Sequence, residues 1–200
     1  MNYYEVHRES DMKISGSLSQ IDEAVRLLPR KERSVYLTLN RREWPDPMPD
    51  LDIFKLHKNA KLTDVLSSTF TSGAVGLVVN QKVKDIINRC EVESTKVFPT
   101  RIFSYDEQNE YNYFLFYILE SRDVVDFPNS QYYRTNYLGD KRYKKVNPKS
   151  VEEFYELYSN GDEGIVSPAT IKLFKTPDLF RLPWGVSPLI SENLKNQLEE

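Results

Sequence analysis

Tyr111-Asn112-Tyr113-Phe114-Leu115-Phe116-Tyr117-Ile118-Leu119-Glu120 is the stretch on which the fold turns. From Tyr113 to Leu119 every residue is apolar or aromatic, so a strand here leaves neither of its faces for water. Such a strand belongs at the centre of a sheet that is covered on both sides. Upstream, Thr95 to Tyr105 has the same β-branched and aromatic character, and Asp106-Glu107-Gln108-Asn109-Glu110 between the two reads as the polar turn of a hairpin.

Working outward from this hairpin, one short pattern occurs on both sides of it. Val78-Val79-Asn80-Gln81-Lys82-Val83-Lys84-Asp85-Ile86-Ile87 places an apolar pair, a capping residue and an amphipathic turn in succession. Leu189-Ile190-Ser191-Glu192-Asn193-Leu194-Lys195-Asn196-Gln197-Leu198 repeats it, matching Asn80 with Ser191, Val83 with Leu194, Lys84 with Lys195 and Ile87 with Leu198. Asn and Ser at the cap accept a hydrogen bond from an otherwise unpaired amide of the first turn, so both segments are expected to open helices.

The remaining elements are read in the same way. Tyr3 to Ile14 alternates as a strand; Ser19 to Leu28 has Ile21, Val25 and Leu28 on one helical face; Val35 to Leu39 is strand-like. Pro45, Pro47 and Pro49 make an extended loop, with Trp44 expected to lock it onto the core. Asp52 to Leu56 reads as a strand, and Ala60 to Phe70 as a helix or irregular segment beginning near Thr63-Asp64. Ser150-Val151-Glu152-Glu153 is a capping box opening a helix that stops at Asn160-Gly161. Ile171 to Lys175 and Pro177 to Leu182 supply further strands. The expected class is α+β: a mostly antiparallel sheet of about five to seven strands with packed helices. No linker divides the chain, so residues 1–200 read as a single domain, with 1–60 as an N-terminal subregion.

Composition narrows the function classes. In 200 residues a formal net charge of -3 disfavours nucleic acid and anionic membranes, because both need a field of clustered cations. The start has no apolar signal region, and no run is long enough to span a bilayer. The single cysteine, Cys90, falls in the register of Val79, Val83, Ile86 and Ile87 and reads as a core thiol. A cytoplasmic protein is expected.

No catalytic constellation is visible. His7 and His57 lack a second ligand at helical spacing, so neither a metal nor a cofactor is expected. Asp123 and Asp126, with Arg122 beside them, are the one pair that could perform acid/base work on a nucleotide or sugar derivative. That enzyme reading requires a deep pocket in which the three converge. The competing reading makes them turn and surface carboxylates. Lys141-Arg142-Tyr143-Lys144-Lys145, preceded by Tyr132-Tyr133 and Tyr137, mixes basic and aromatic residues as protein interfaces do. Tyr132, Tyr133, Tyr137, Arg142 and Tyr143 are therefore the candidate partner-binding residues.

The order of several segments resembles an immunity-protein family of bacterial polymorphic toxin systems, the one built around a domain of unknown function first noted in myxobacterial proteins. The segments are the Val78-Val79-Asn80 helix entry, a helix ending near Cys90 and the Phe98-Pro99 strand. They continue with the Tyr111-to-Leu119 strand, the Asp123-Val124-Val125-Asp126 and Ser130 exit, and Asp178-Leu179-Phe180-Arg181 before the capped terminal helix. The resemblance spans residues 77–200 and does not reach the N-terminal region up to about Ala60. Asn80 stands where that family usually has a capping serine. What the resemblance implies is a protein that binds and neutralises a cognate toxin rather than an enzyme. It also implies an acidic surface that speeds capture of a basic toxin, with which Glu152, Glu153, Glu156, Asp162, Glu163 and Asp178 are consistent; the alternative reading makes them a solvated helix face. The alternatives are the small enzyme above and a general protein-binding module.

Overall fold

The computed structural model describes residues 2–7, 9–21, 42–44, 46, 54–67, 76–136, 141–159, 164–185 and 187–200. Its contacts divide the chain into two compact units, one of Met1–Glu120 with Pro177–Glu200 and the other of Ser121–Thr176.

In the first unit, β1 (Tyr3–Glu5) is followed by the one-turn helix α1 (Met12–Ser15), β2 (Phe54–Lys55), β3 (Val65–Leu66), β4 (Gly76–Val79) and α2 (Gln81–Ile87). The hairpin β5 (Thr95–Phe103) and β6 (Glu110–Ile118) comes next. In the second unit lie β7 (Gln131–Thr135), β8 (Arg142–Val146), α3 (Val151–Ser159) and β9 (Ile165–Thr170). The chain then returns to the first unit with β10 (Leu179–Phe180), β11 (Leu189–Ser191) and α4 (Glu192–Glu199).

The five-stranded sheet has the order β2-β5-β6-β4-β3, antiparallel except where β2 runs parallel to β5. As its two apolar faces require, β6 is the central strand. Tyr113, Leu115 and Tyr117 pack into one cluster with Phe54, Leu66, Val78 and Ile102. Phe116 and Ile118, on the opposite face, pack with Val79, Val83, Ile87 and Leu194. Trp44 joins the first cluster, its ring 5.5 Å from that of Tyr117, while Pro45, Pro47 and Pro49 lie outside the described residues.

The expectation of one sheet is corrected: the described residues form three sheets, of five, three and three strands, with orders β2-β5-β6-β4-β3, β1-β11-β10 and β8-β7-β9. Periodicity locates strands without naming their partners. Other local expectations also change. Val65-Leu66 is a strand rather than part of a helix, because its pairing with Val79 and Val78 outweighs its own weak preference. The strand expected at Ile171 to Lys175 lies earlier, at β9, and Leu173 makes only an isolated bridge to Val125. Extended structure near the N-terminus stops at Glu5, and Asp11 then caps α1 through Lys13 N. Ile21 bridges Leu56 instead of lying in a helix. The expectations for residues 22–28 and Val35 to Leu39 lie outside the described residues.

The repeated pattern is a repeated structure. Val83 N donates to Asn80 Oδ1 at 3.1 Å, and Leu194 N donates to Ser191 Oγ at 3.1 Å. In each copy the strand before the cap pairs antiparallel with a two-residue strand that an aspartate precedes, Val79 facing Val65 and Ile190 facing Leu179. Asn80 N donates to Asp64 O and Ser191 N to Asp178 O, both at 2.9 Å. The cap side chains also donate to these aspartates, Asn80 Nδ2 to Asp64 at 2.6 Å and Ser191 Oγ to Asp178. The matched lysines even find matched rings: Lys84 Nζ lies 3.8 Å from the centroid of Phe114, and Lys195 Nζ 5.2 Å from that of Tyr4. Phe114 faces Val79, and Tyr4 faces Ile190. α2 and α4 share one apolar core.

Candidate functional site

Chemistry-bearing side chains gather in the second unit, and its core decides which of them reach the surface. In β7 the two-residue period sends Tyr132 inward and Tyr133 to the other face. Tyr132 is 0% exposed, 6.0 Å from the ring of Phe127 and 5.7 Å from that of Phe154. Burial pushes its hydroxyl up to about 12; the bond to Ser130 opposes this and the charge of Asp126 adds to it. Tyr132 thus serves the core and offers no contact surface. Tyr137 lies outside the described residues.

Tyr133, Arg142 and Tyr143 come together on the hairpin of β7 and β8. The Arg142 guanidinium lies 5.3 Å from the centroid of Tyr133, a cation–π contact that orders an otherwise flexible side chain. Tyr143 is half-exposed, yet its hydroxyl donates to Thr135 O at 3.2 Å. That position depends on Gly164. A Cβ there would sit 1.9 Å from the Tyr143 hydroxyl oxygen and 2.3 Å from Thr135 O, and the φ of +88° is one that glycine adopts without strain. Gly164 escaped the sequence reading, since nothing local marks a glycine that a tyrosine will cross. Lys141, Lys144 and Lys145 surround the tyrosines and are exposed.

An open cavity of about 440 Å³ lies elsewhere in this unit, lined among others by Arg122, Asp123, Lys149, Glu152 and Phe174. It brings Arg122 and Asp123 together but not Asp126. Asp126 closes a turn, accepting from Asn129 N at 3.3 Å and Asn129 Nδ2 at 2.9 Å, while Arg122 Nη1 stands 3.9 Å from Glu152. Arg122, Asp123 and Asp126 thus do not line one cavity, which is the arrangement the enzyme reading asked for.

The other candidates also find their places. Cys90 is half-buried, its thiol pushed up chiefly by burial and then by the charge of Asp178, and its Sγ donates to Ile86 O at 3.5 Å. That is a core thiol and not a nucleophile. Among the described residues no three His, Cys, Asp or Glu side chains are grouped so as to hold a metal ion. No helix among them is long and apolar enough to cross a membrane. Of the acidic surface, Glu152, Glu153 and Glu156 are exposed on α3, and Glu153 accepts from Lys149 N at 2.7 Å. Asp162 and Glu163 lie outside the described residues, and Asp178 is taken up by the Ser191 cap.

No curated protein matches the chain. A family model described as "Immunity protein family (Imm11)" matches residues 2–200. The match takes in the N-terminal region to which the sequence resemblance did not extend.

Proposed function

We infer a function from one premise, that this chain belongs to the Imm11 immunity protein family: it binds a cognate bacterial toxin in the cytoplasm and neutralises it. The observation that carries this reading is a family match running through both compact units. The geometry supports binding over catalysis, because Asp126 is engaged by Asn129 and does not line the cavity that Asp123 lines.

The contact surface in this reading is the Tyr133, Arg142 and Tyr143 face. Tyrosine and arginine are enriched where interfaces gain most of their energy, and both are held before any partner arrives. Ordering Arg142 on Tyr133, and Tyr143 over Gly164, lowers the entropy lost on association. Neutralisation then follows from covering the toxin's active site. The net charge of -3 favours rapid capture of a basic toxin at long range.

Co-expression with the product of the adjacent gene tests the reading. A stable complex, together with rescue of growth from that product's toxicity, is the expected result. Absence of both complex and rescue would contradict it and return weight to a general binding module.

A further inference from the structure

We propose that the cavity beside the start of α3 is a docking site for an aromatic side chain of the protein partner, carried on a segment with basic residues next to it. The proposal rests on the immunity reading above and adds a second contact to the hairpin face. The cavity lies wholly within the second unit: its lining comes from the stretches 122–127 and 149–152 and from Phe174. At about 440 Å³ it stands toward the small end of the about 300–1,000 Å³ of ligand-sized clefts, room for a large side chain rather than for a whole helix or strand.

The lining is apolar at Val125, Phe127, Val151 and Phe174. The first three are buried in the unit, whereas Phe174 is 67% exposed, more than any other large apolar side chain among the described residues. Its place is set by the backbone: Phe174 N donates to Val124 O at 2.9 Å, and the neighbouring Leu173 bridges Val125. A phenylalanine fixed beside a cavity leaves its large apolar area in water until a partner covers it. Aromatic anchors seated in pockets carry much of the energy of protein interfaces.

Charge then selects the occupant. Within the lining Arg122 and Lys149 are balanced by Asp123 and Glu152, so the cavity itself favours an uncharged side chain. The α3 N-terminus, which would otherwise draw an anion, is already served. Glu153 accepts from Lys149 N at 2.7 Å, and the Glu152 carboxyl is held below the ordinary carboxylate range by its own amide and then by the Ser150 hydroxyl. Past the rim the balance is lost, because α3 exposes Glu152, Glu153 and Glu156 and carries no cation. Glu156 stands three and four residues beyond Glu153 and Glu152, spacings at which like charges on a helix repel. A lysine or arginine beside the partner's aromatic residue relieves that repulsion. The same carboxylates turn away nucleic acid and anionic lipid.

The test uses the full chain and a labelled synthetic peptide in which one phenylalanine stands between two pairs of lysines. Companion peptides replace the phenylalanine by alanine, or the lysines by glutamates. The expected result is binding of the Lys/Phe peptide that falls at least about tenfold in Phe174→Ala and about threefold in Glu156→Gln, with both companions weaker than the parent. Both substituted side chains are exposed, and circular dichroism checks that each variant folds. Absence of binding, equal binding by Phe174→Ala or by Glu156→Gln, or equal binding of either companion would overturn the proposal. So would light scattering that shows a dimer which Phe174→Ala disperses, because the occupant would then be a second copy of the chain. The assay contains no toxin, so its failure leaves the co-expression result to decide the immunity reading separately.

Discussion

The two strand–cap–helix segments, Asp64 to Ile87 and Asp178 to Glu199, share bonding, register and even the lysine-over-ring contact, but their settings differ. Asp64 is exposed, with Lys82 Nζ at 4.0 Å from its carboxylate. Asp178 is half-buried and accepts from Ser191, from Glu91 N at 3.1 Å and from Asn193 Nδ2 at 3.2 Å. One local rule has thus been placed once at the rim and once deeper in the same unit. Local chemistry specifies the shape of the motif, and its surroundings set how much that shape contributes to stability.

Core truncations should separate the copies most widely. Leu194 is 0% exposed, and Leu194→Ala is expected to cost about 3 kcal/mol, within the range for buried leucines, when read by urea unfolding. The matched Val83→Ala removes one carbon fewer and should cost about 2 kcal/mol. Equal losses would mean that the number of buried carbons removed is not what sets the cost in the two copies.

The aspartates come next. Asp178→Ala deprives three donors of a charged acceptor and is expected to destabilise by about 2 kcal/mol, against under about 1 kcal/mol for Asp64→Ala at its exposed site. The second copy should also respond to acid. Burial pushes the Asp178 carboxyl up, but the bonds from Ser191, Glu91 and Asn193 outweigh it and hold it below the usual carboxylate range. A depressed folded-state value means that this stabilisation is complete above the unfolded pKa of about 3.9 and is lost as pH falls through the lower folded value. Wild-type stability should therefore fall below about pH 4, and Asp178→Asn should flatten that fall. An unchanged pH profile in Asp178→Asn would remove the electrostatic part of the comparison.

The caps should show the copies at their most alike. Asn80→Ala and Ser191→Ala each remove one bond to a first-turn amide and should each cost about 1 kcal/mol, while Asn80→Ser should be nearly neutral. The smallest difference is expected at the lysines, where Lys84→Met and Lys195→Met each forfeit one cation–π contact, and Lys195→Met its pair with Glu199 as well.

What could be read in the sequence was what short-range chemistry determines. Two apolar faces placed Tyr113 to Leu119 at the centre of a sheet, and the side chains of Asn80 and Ser191 announced their helices. The aspartate partners of the caps were hidden, because Asp64 and Asp178 lie sixteen and thirteen residues from the residues they hold. The division into three sheets was hidden for the same reason, pairing being a property of distant segments. At the candidate site, composition pointed to the hairpin of β7 and β8, yet it grouped Tyr132 with Tyr133. Adjacent residues of a strand face opposite ways, and only packing against Phe127 and Phe154 shows which of the two is inward.

The central claim is neutralisation by occupancy, and a titration of toxin activity against this protein tests it most directly. The account predicts that activity falls in proportion to the protein added, reaches its floor near one equivalent and does not drift further with time. Complete loss of activity at a small fraction of an equivalent, deepening with incubation, would show turnover and contradict it.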